Sequence, residues 1–259
     1  MRIDCHVHGD PSNLKGDPHA YVGYCRERGV EAIVLIEPLE CCLRARDRFG
    51  DFVIPVARIP MDSSSATTVS ECINAGCLGI KFIDPAAPYG DERYWPMYDK
   101  LEELGRPAIF HTGYYMFVGR QAQPTHMEYM RAAQIDVVAR RFPELKILMS
   151  HFSNPWWEEA WKVSWSNRNV YADLSGGTAI HRSMSMWAEM FAPDGALLQD
   201  SIGKLCFGSD VEYFREGEAA WQPYIAFHER LFDRIQLPEP FREAVNRGNI
   251  RTLFGLDGH

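Results

Sequence analysis

The sequence predicts an α/β fold, a (β/α)8 TIM barrel, on three observations. Short apolar runs alternate with longer amphipathic stretches eight times within 259 residues. The runs end near positions 8, 37, 59, 83, 112, 152, 175 and 210, a mean spacing of about 29 residues and the length of one βα unit. No Gly-rich phosphate loop follows the first run, as a doubly wound open sheet would bring. No linker or repeat interrupts the series, so a single domain over residues 1–259 is expected.

The strands are expected at residues 3–8, 32–37, 52–59, 78–83, 108–112, 147–152, 170–175 and 205–210. Most are continuous apolar runs, the pattern of parallel strands covered by helices on their outer face. Between them, residues 21–28 before Gly29 and 69–75 before Gly76 carry short helical signals. Tyr94, Met97, Tyr98, Leu101 and Leu104 recur at helical spacing, with Gly105 where a C-cap belongs. Ile135, Val138, Ala139 and Phe142 repeat the rhythm and stop at Pro143. Tyr224, Phe227, Leu231, Phe232 and Ile235 do so before Pro238.

Composition narrows the class of function. A net charge of −8 without a basic cluster argues against nucleic acid as a partner. No run approaches the roughly 18 apolar residues of a membrane span, and the first run is too polar for a signal-peptide core. Seven cysteines without a CxxC pair suggest reduced thiols and a cytoplasmic protein. A homo-oligomer is compatible with all of this.

The chemistry gathers at the expected strand ends. His6 and His8 lie two apart, so in a strand both imidazoles face one way. Such a pair arises by chance ~0.3 times in a chain of this composition, and its position gives it weight. His111 ends the fifth run, His151 the sixth and Asp210 the eighth. In a barrel, strand C-termini carry the active site. Five imidazole or carboxylate groups on one rim are hard to explain by packing, because buried ionisable groups are costly unless paired or metal-bound. Lys81 sits within the apolar Gly79-Ile80-Lys81-Phe82 and needs a partner: a salt bridge, a substrate carboxylate, or a carbamate bridging two metals.

Asp4-Cys5-His6-Val7-His8, Gly79-Ile80-Lys81, His111-Thr112-Gly113, residues 142–146 through Ser150-His151, Asn169-Val170-Tyr171 and Phe207-Gly208-Ser209-Asp210 resemble the amidohydrolase superfamily. Within it the chain is similar to the amidohydrolase-related branch that includes aminocarboxymuconate semialdehyde decarboxylase and related hydrolases, and residues 249–255 resemble that branch's terminal helix. The resemblance implies His6, His8, His111 and Asp210 as ligands of a divalent metal, with Asp210 also handling protons. It implies that His151 polarises substrate or binds a second ion, and that Lys81 occupies the position carboxylated in binuclear relatives. One ion or two fit the resemblance; we favour one, with Lys81 unmodified and facing substrate.

Imidazoles and a carboxylate suit Zn2+, with Mn2+, Fe2+ or Co2+ as alternatives. The expected reaction is hydrolysis of a small amide, ester or lactone by metal-activated water, with Asp210, His151 and Lys81 as the catalytic groups. The alternative is non-oxidative decarboxylation of a small carboxylated substrate. Substrate contacts are expected among Glu37, Arg58, Tyr114, Tyr115, Arg120, His126, Trp156, Trp157, His181, Arg182, Glu212 and Tyr213. His19, His228 and His259 have no assigned role.

Overall fold

A computed structural model describes residues 1–114, 125–176 and 179–256. Tyr115, Arg120 and His259 lie outside the described residues. Among the described residues, nine strands make one sheet: β1 Arg2–His8, β2 Val30–Glu37, β3 Val53–Arg58, β4 Gly79–Phe82, β5 Ala108–His111, β6 Ile147–Ser150, β7 Val170–Asp173, β8 Leu205–Cys206 and β9 Val211–Glu212. Their order is β8-β7-β6-β5-β4-β3-β2-β1-β9, and every pairing is parallel. All C-terminal strand ends therefore open on one side.

The expectation of eight strands needs one correction: the eighth run is broken in two. β8 pairs with β7, β9 pairs with β1, and residues 207–210 lie between them. That bridge is itself held to β1, since Cys5 N donates to Phe207 O (2.9 Å) and Asp210 N to His6 O (2.7 Å). The sheet thus curls until residues 205–212 flank both its first and its seventh strand. Asp210 has φ +65°, outside the β region, and that residue interrupts the strand. Gly208 permits the close approach, because a Cβ there would meet Cys5 Sγ at 2.9 Å.

Helices follow the strands: α1 Pro18–Glu27, α2 Leu39–Phe49, α3 Ala66–Asn74, α4 Trp95–Glu103, α5 Ala132–Arg141, α6 Trp157–Ser166, α7 Met184–Phe191, α8 Gln199–Ile202, α9 Gln222–Arg234, α10 Glu239–Glu243 and α11 Asn249–Phe254. Asp17, Ser65 and Ser183 cap α1, α3 and α7 through side-chain oxygens, and Ser65 with Thr68 completes a capping box. Among the described residues, no helix is long and apolar enough to cross a membrane.

The two faces of the strands feed different cores. Ile3, Cys5, Val34, Ile36, Ile54, Val56, Ile109, Leu148 and Cys206 form one buried cluster, joined by Ile250, Leu253 and Phe254 of α11. Outward residues such as Ile33, Leu35, Ile80, Phe110 and Met149 pack in separate clusters with residues of the helices. Each fully buried Leu, Ile or Phe contributes roughly 1.5–3 kcal/mol, so the rim can carry polar groups over a scaffold stabilised elsewhere.

Candidate metal centre

β1 does not alternate strictly. Asp4 pairs with Ile33 but Val7 with Leu35, so three steps on β1 match two on β2, a bulge. His6 and His8 still reach one side, their ring centroids 5.4 Å apart. Asp210 joins them: its Oδ1 lies 3.5 Å from His6 Nε2 and 3.3 Å from His8 Nε2. His151 lies tilted at 4.7 Å from His6 and 4.7 Å from His111, measured between ring centroids. Lys81, also buried, places Nζ 3.4 Å from His6 Nε2 and donates to Ser150 Oγ at 3.0 Å. The sequence-predicted set His6, His8, His111, His151, Asp210 and Lys81 is therefore one contiguous cluster.

Among the described residues, two groups of three have donor atoms within 4.8 Å of one another: His6 with His8 and Asp210, and His6 with His151 and Asp173. His111 adjoins both through His151.

The outer nitrogens of the imidazoles reveal the tautomers. His8 Nδ1 lies 2.8 Å from Ile36 O, and a carbonyl only accepts, so Nδ1 carries the hydrogen. Its Nε2 faces Asp210, as a proton donor while His8 is charged and as a lone pair for a metal once His8 is neutral. His6 Nε2 faces the Lys81 ammonium, which only donates, so that nitrogen is also the acceptor. Among the described residues, buried His6 Nδ1 has no hydrogen-bond partner, and Asp173 Oδ2 stands 3.5 Å away.

His6 Nε2, His8 Nε2 and Asp210 Oδ1 thus converge, and a proton on His8 or a metal ion among the three balances the Asp210 charge. Their 3.3 and 3.5 Å separations compare with about 3.4 Å between ligand atoms on a tetrahedral zinc with bonds of roughly 2.1 Å. Chemistry of the donor set and spacing therefore fit a divalent ion.

Electrostatics agree. Burial, reinforced by the charge of Lys81, pulls His6 down to about 3. Burial, with His151 and Lys81, sends His111 well below its ordinary value, and burial lowers His151 as well. These three are neutral imidazoles at neutral pH, the form that binds metal. His8 differs: burial opposes its charge, but contact with Asp210 and Glu37 outweighs burial and raises it to about 9. That shift marks a potential that favours a cation at His8. Asp210 is held below the usual carboxylate range by the surrounding histidines, against the effect of burial. Burial brings Lys81 down to about 8, opposed by Asp173 and Asp210.

The backbone is shaped for this array. His151, Phe152 and Ser153 all have positive φ (63°, 47° and 50°), as does Asp210. Such non-glycine residues cost of order 1–3 kcal/mol each and cluster at functional sites. Gly176, at φ +87°, comes so close that a Cβ would lie 3.1 Å from His151 Nδ1 and 3.5 Å from Asp210 Oδ2. Gly113 of the His-Thr-Gly run, at φ +87°, would drive a Cβ to 2.1 Å from Asn154 O.

The rim is mixed. Glu37 accepts from Gly9 N at 3.0 Å and lies 3.6 Å from His8 Nδ1 and 3.8 Å from Arg58. Tyr114 and Trp156 lie tilted against each other at 5.1 Å between ring centroids, with Arg131 4.6 Å over the Trp156 ring; Arg182 lies 4.8 Å over Trp157. Tyr213 is not a rim residue but buried, donating to Asp4 and stacking on Trp221. Glu212 pairs with Arg215, and His126 stacks on Tyr129.

Two buried carboxylates have no assigned role in the sequence reading. Asp4 accepts from Ser209 N (2.9 Å), Ser209 Oγ (2.6 Å) and Tyr213 OH (3.1 Å), tying β1 to the segment that displays Asp210. Burial pushes its carboxyl up to about 7 against those donors. Asp173 ends β7 as the other polar groups end their strands, and that position was its legible signal.

A family model described as amidohydrolase matches residues 3–256. No curated protein matches the chain. Among solved structures, an uncharacterised TIM-barrel protein from Bordetella bronchiseptica superposes with a TM-score of 0.66 at 18% identity, covering 100% of this chain and 99% of its own. 5-Carboxyvanillate decarboxylase from Sphingomonas paucimobilis gives 0.67 at 11% identity, covering 98% and 99%. A probable 2-pyrone-4,6-dicarboxylic acid hydrolase from Acinetobacter baumannii, with citric acid bound, gives 0.62 at 13% identity over 98% and 99%.

Proposed function

The chain belongs to the amidohydrolase family, and from that premise we propose that it is a metal-dependent hydrolase of a small amide, ester or lactone. The observation that carries this reading is the convergence of three ligand-competent atoms, His6 Nε2, His8 Nε2 and Asp210 Oδ1, at the C-terminal strand ends. The ion would be held by His6, His8 and Asp210 with His111 completing the set, and Zn2+ is the choice that best suits such donors. When bound, it would supply Lewis acidity and a water whose pKa falls toward ~7.

The protein's own groups do the remaining work. Asp210 accepts the proton of the attacking water and returns it to the leaving group. Lys81, a donor among acceptors, faces the substrate oxygen on which charge develops. His151 meets the substrate side as an acceptor and takes part in proton handling or in holding a second ion. One domain over residues 1–259 carries the activity, and seven buried free cysteines suit a reducing, cytoplasmic setting.

Decarboxylation on the same scaffold is the second reading, favoured by Lys81, which has no carboxylate within 4.0 Å among the described residues and could grip a substrate carboxylate. The product decides. Hydrolysis of at least one lactone, ester or amide in labelled water should place labelled oxygen in the product. Carbon dioxide released from a carboxylated substrate, with no label incorporated, would reverse the assignment.

A further inference from the structure

We propose that Asp173 is the positioning residue of this site: one buried carboxylate that holds both His6 and His151 in the tautomer with Nδ1 protonated and Nε2 turned into the cluster. The inference rests on the metal-dependent reading for its consequence, but the tautomers are a property of the protein itself.

Asp173 is wholly buried at the end of β7; Oδ2 faces the His6 ring directly, and Oδ1 reaches the His151 ring through Ser175. Oδ1 accepts from His151 N (2.9 Å), Ser175 N (2.9 Å) and Ser175 Oγ (2.5 Å). A hydroxyl has a single hydrogen, and Ser175 commits it to the carboxylate. Its oxygen therefore accepts from His151 Nδ1, 2.9 Å away. Ser175 O, 3.3 Å from the same nitrogen, can only accept and requires the same hydrogen. His151 Nε2 is left as the lone pair.

Oδ2 serves the other ring. It lies 3.5 Å from His6 Nδ1, while His6 Nε2 faces the Lys81 ammonium. Asp173 beside Nδ1 and the Lys81 ammonium beside Nε2 favour the same tautomer as in His151, against Asp210 Oδ1, which also stands 3.5 Å from Nε2. The backbone contact does more: His151 begins the left-handed run through Ser153, and the bond from His151 N to Asp173 restrains that strained turn.

Asp173 is a poor candidate for a direct ligand, although its atoms fall within reach of His6 and His151. Oδ1 already accepts three hydrogen bonds, and binding through Oδ2 would enlist His6 Nδ1 and turn Nε2 away from His8 and Asp210. Carboxylates that orient ligand histidines through the outer nitrogen typically change metal affinity 10–100-fold when mutated.

The test is nitrogen NMR of the histidines in chelator-treated protein, combined with zinc affinity measured by competition with a chromophoric chelator. In the wild type, His6 and His151 should show Nδ1–H and an unprotonated Nε2. In Asp173→Asn the amide presents donors where the carboxylate accepts, so at least His6 should shift toward Nε2–H and zinc affinity should fall about 10–100-fold. A merely structural residue would lower stability without moving the tautomers. Wild-type rings protonated at Nε2, or an Asp173→Asn protein with unchanged tautomers and zinc affinity within twofold, would overturn the proposal. If the variant does not fold, the wild-type spectrum still decides. A wild type that binds no zinc yet shows both Nδ1–H tautomers would sink the metal-dependent reading and leave the positioning role standing.

Discussion

Asp210 meets two imidazoles through one oxygen while its backbone sits at φ +65°, a conformation an aspartate adopts only where its surroundings hold it. Asp210→Asn keeps volume and shape but removes both the negative charge and the proton acceptor. The expected outcome is a folded protein with kcat lowered by about 10²–10⁴-fold, read from steady-state kinetics beside a circular-dichroism melt. Near-wild-type turnover would exclude Asp210 as the base. His6, His8, His111, His151, Asp210 and Lys81 were legible because each interrupts an apolar run at its C-terminal end. Asp173 and Ser175 end their run in the same way, yet their roles depend on contacts with β6 and β1 that no local pattern displays. Tyr213 misleads for the opposite reason: it follows Asp210 by three residues but points inward to Asp4.

At the scale of elements, α4, α5 and α9 were readable from their apolar period and their Gly or Pro stops, and α11 only through the family resemblance. α2 was not, since it buries Cys41, Cys42, Ala45 and Phe49, mostly small residues with little contrast against five charged neighbours. The split of the eighth run was also hidden, because the break comes from a backbone conformation and a glycine contact rather than from composition. α9 carries a prediction of its own. His228 is fully buried on it, among Phe207, Phe227 and Phe232, with Nδ1 at 2.9 Å from Tyr224 O. Burial lowers it from 6.5 to about 4. Between those values the unfolded chain binds more protons than the folded one. The stability is therefore fully present above about pH 6.5 and lost as pH falls toward 4, by about 3 kcal/mol in total. His228→Phe should flatten the fall in denaturation free energy over this window by up to about one proton's slope. Parallel curves for variant and wild type would contradict the burial account.

For the whole molecule, parallel order brings every strand's C-terminal end to one side, and residues 205–212 join the sheet's two ends there. Asp4 strengthens that junction through Ser209 and Tyr213, more than 200 residues away in sequence. The site is thus a product of closure: His6 and His8 come from the first strand, Asp210 from the segment between the last two, and they meet only because the sheet curls. The repeating βα spacing made the architecture legible, whereas the meeting of first and last strands had to be supplied by the three-dimensional fold. The claim that this meeting point holds a divalent ion is tested most directly by anomalous scattering at the zinc edge from crystals of the protein as purified. The account predicts a peak enclosed by His6, His8 and Asp210, absent in the His6→Ala, His8→Ala double variant. No peak at that point in crystals of a protein that keeps full activity after chelation would contradict it.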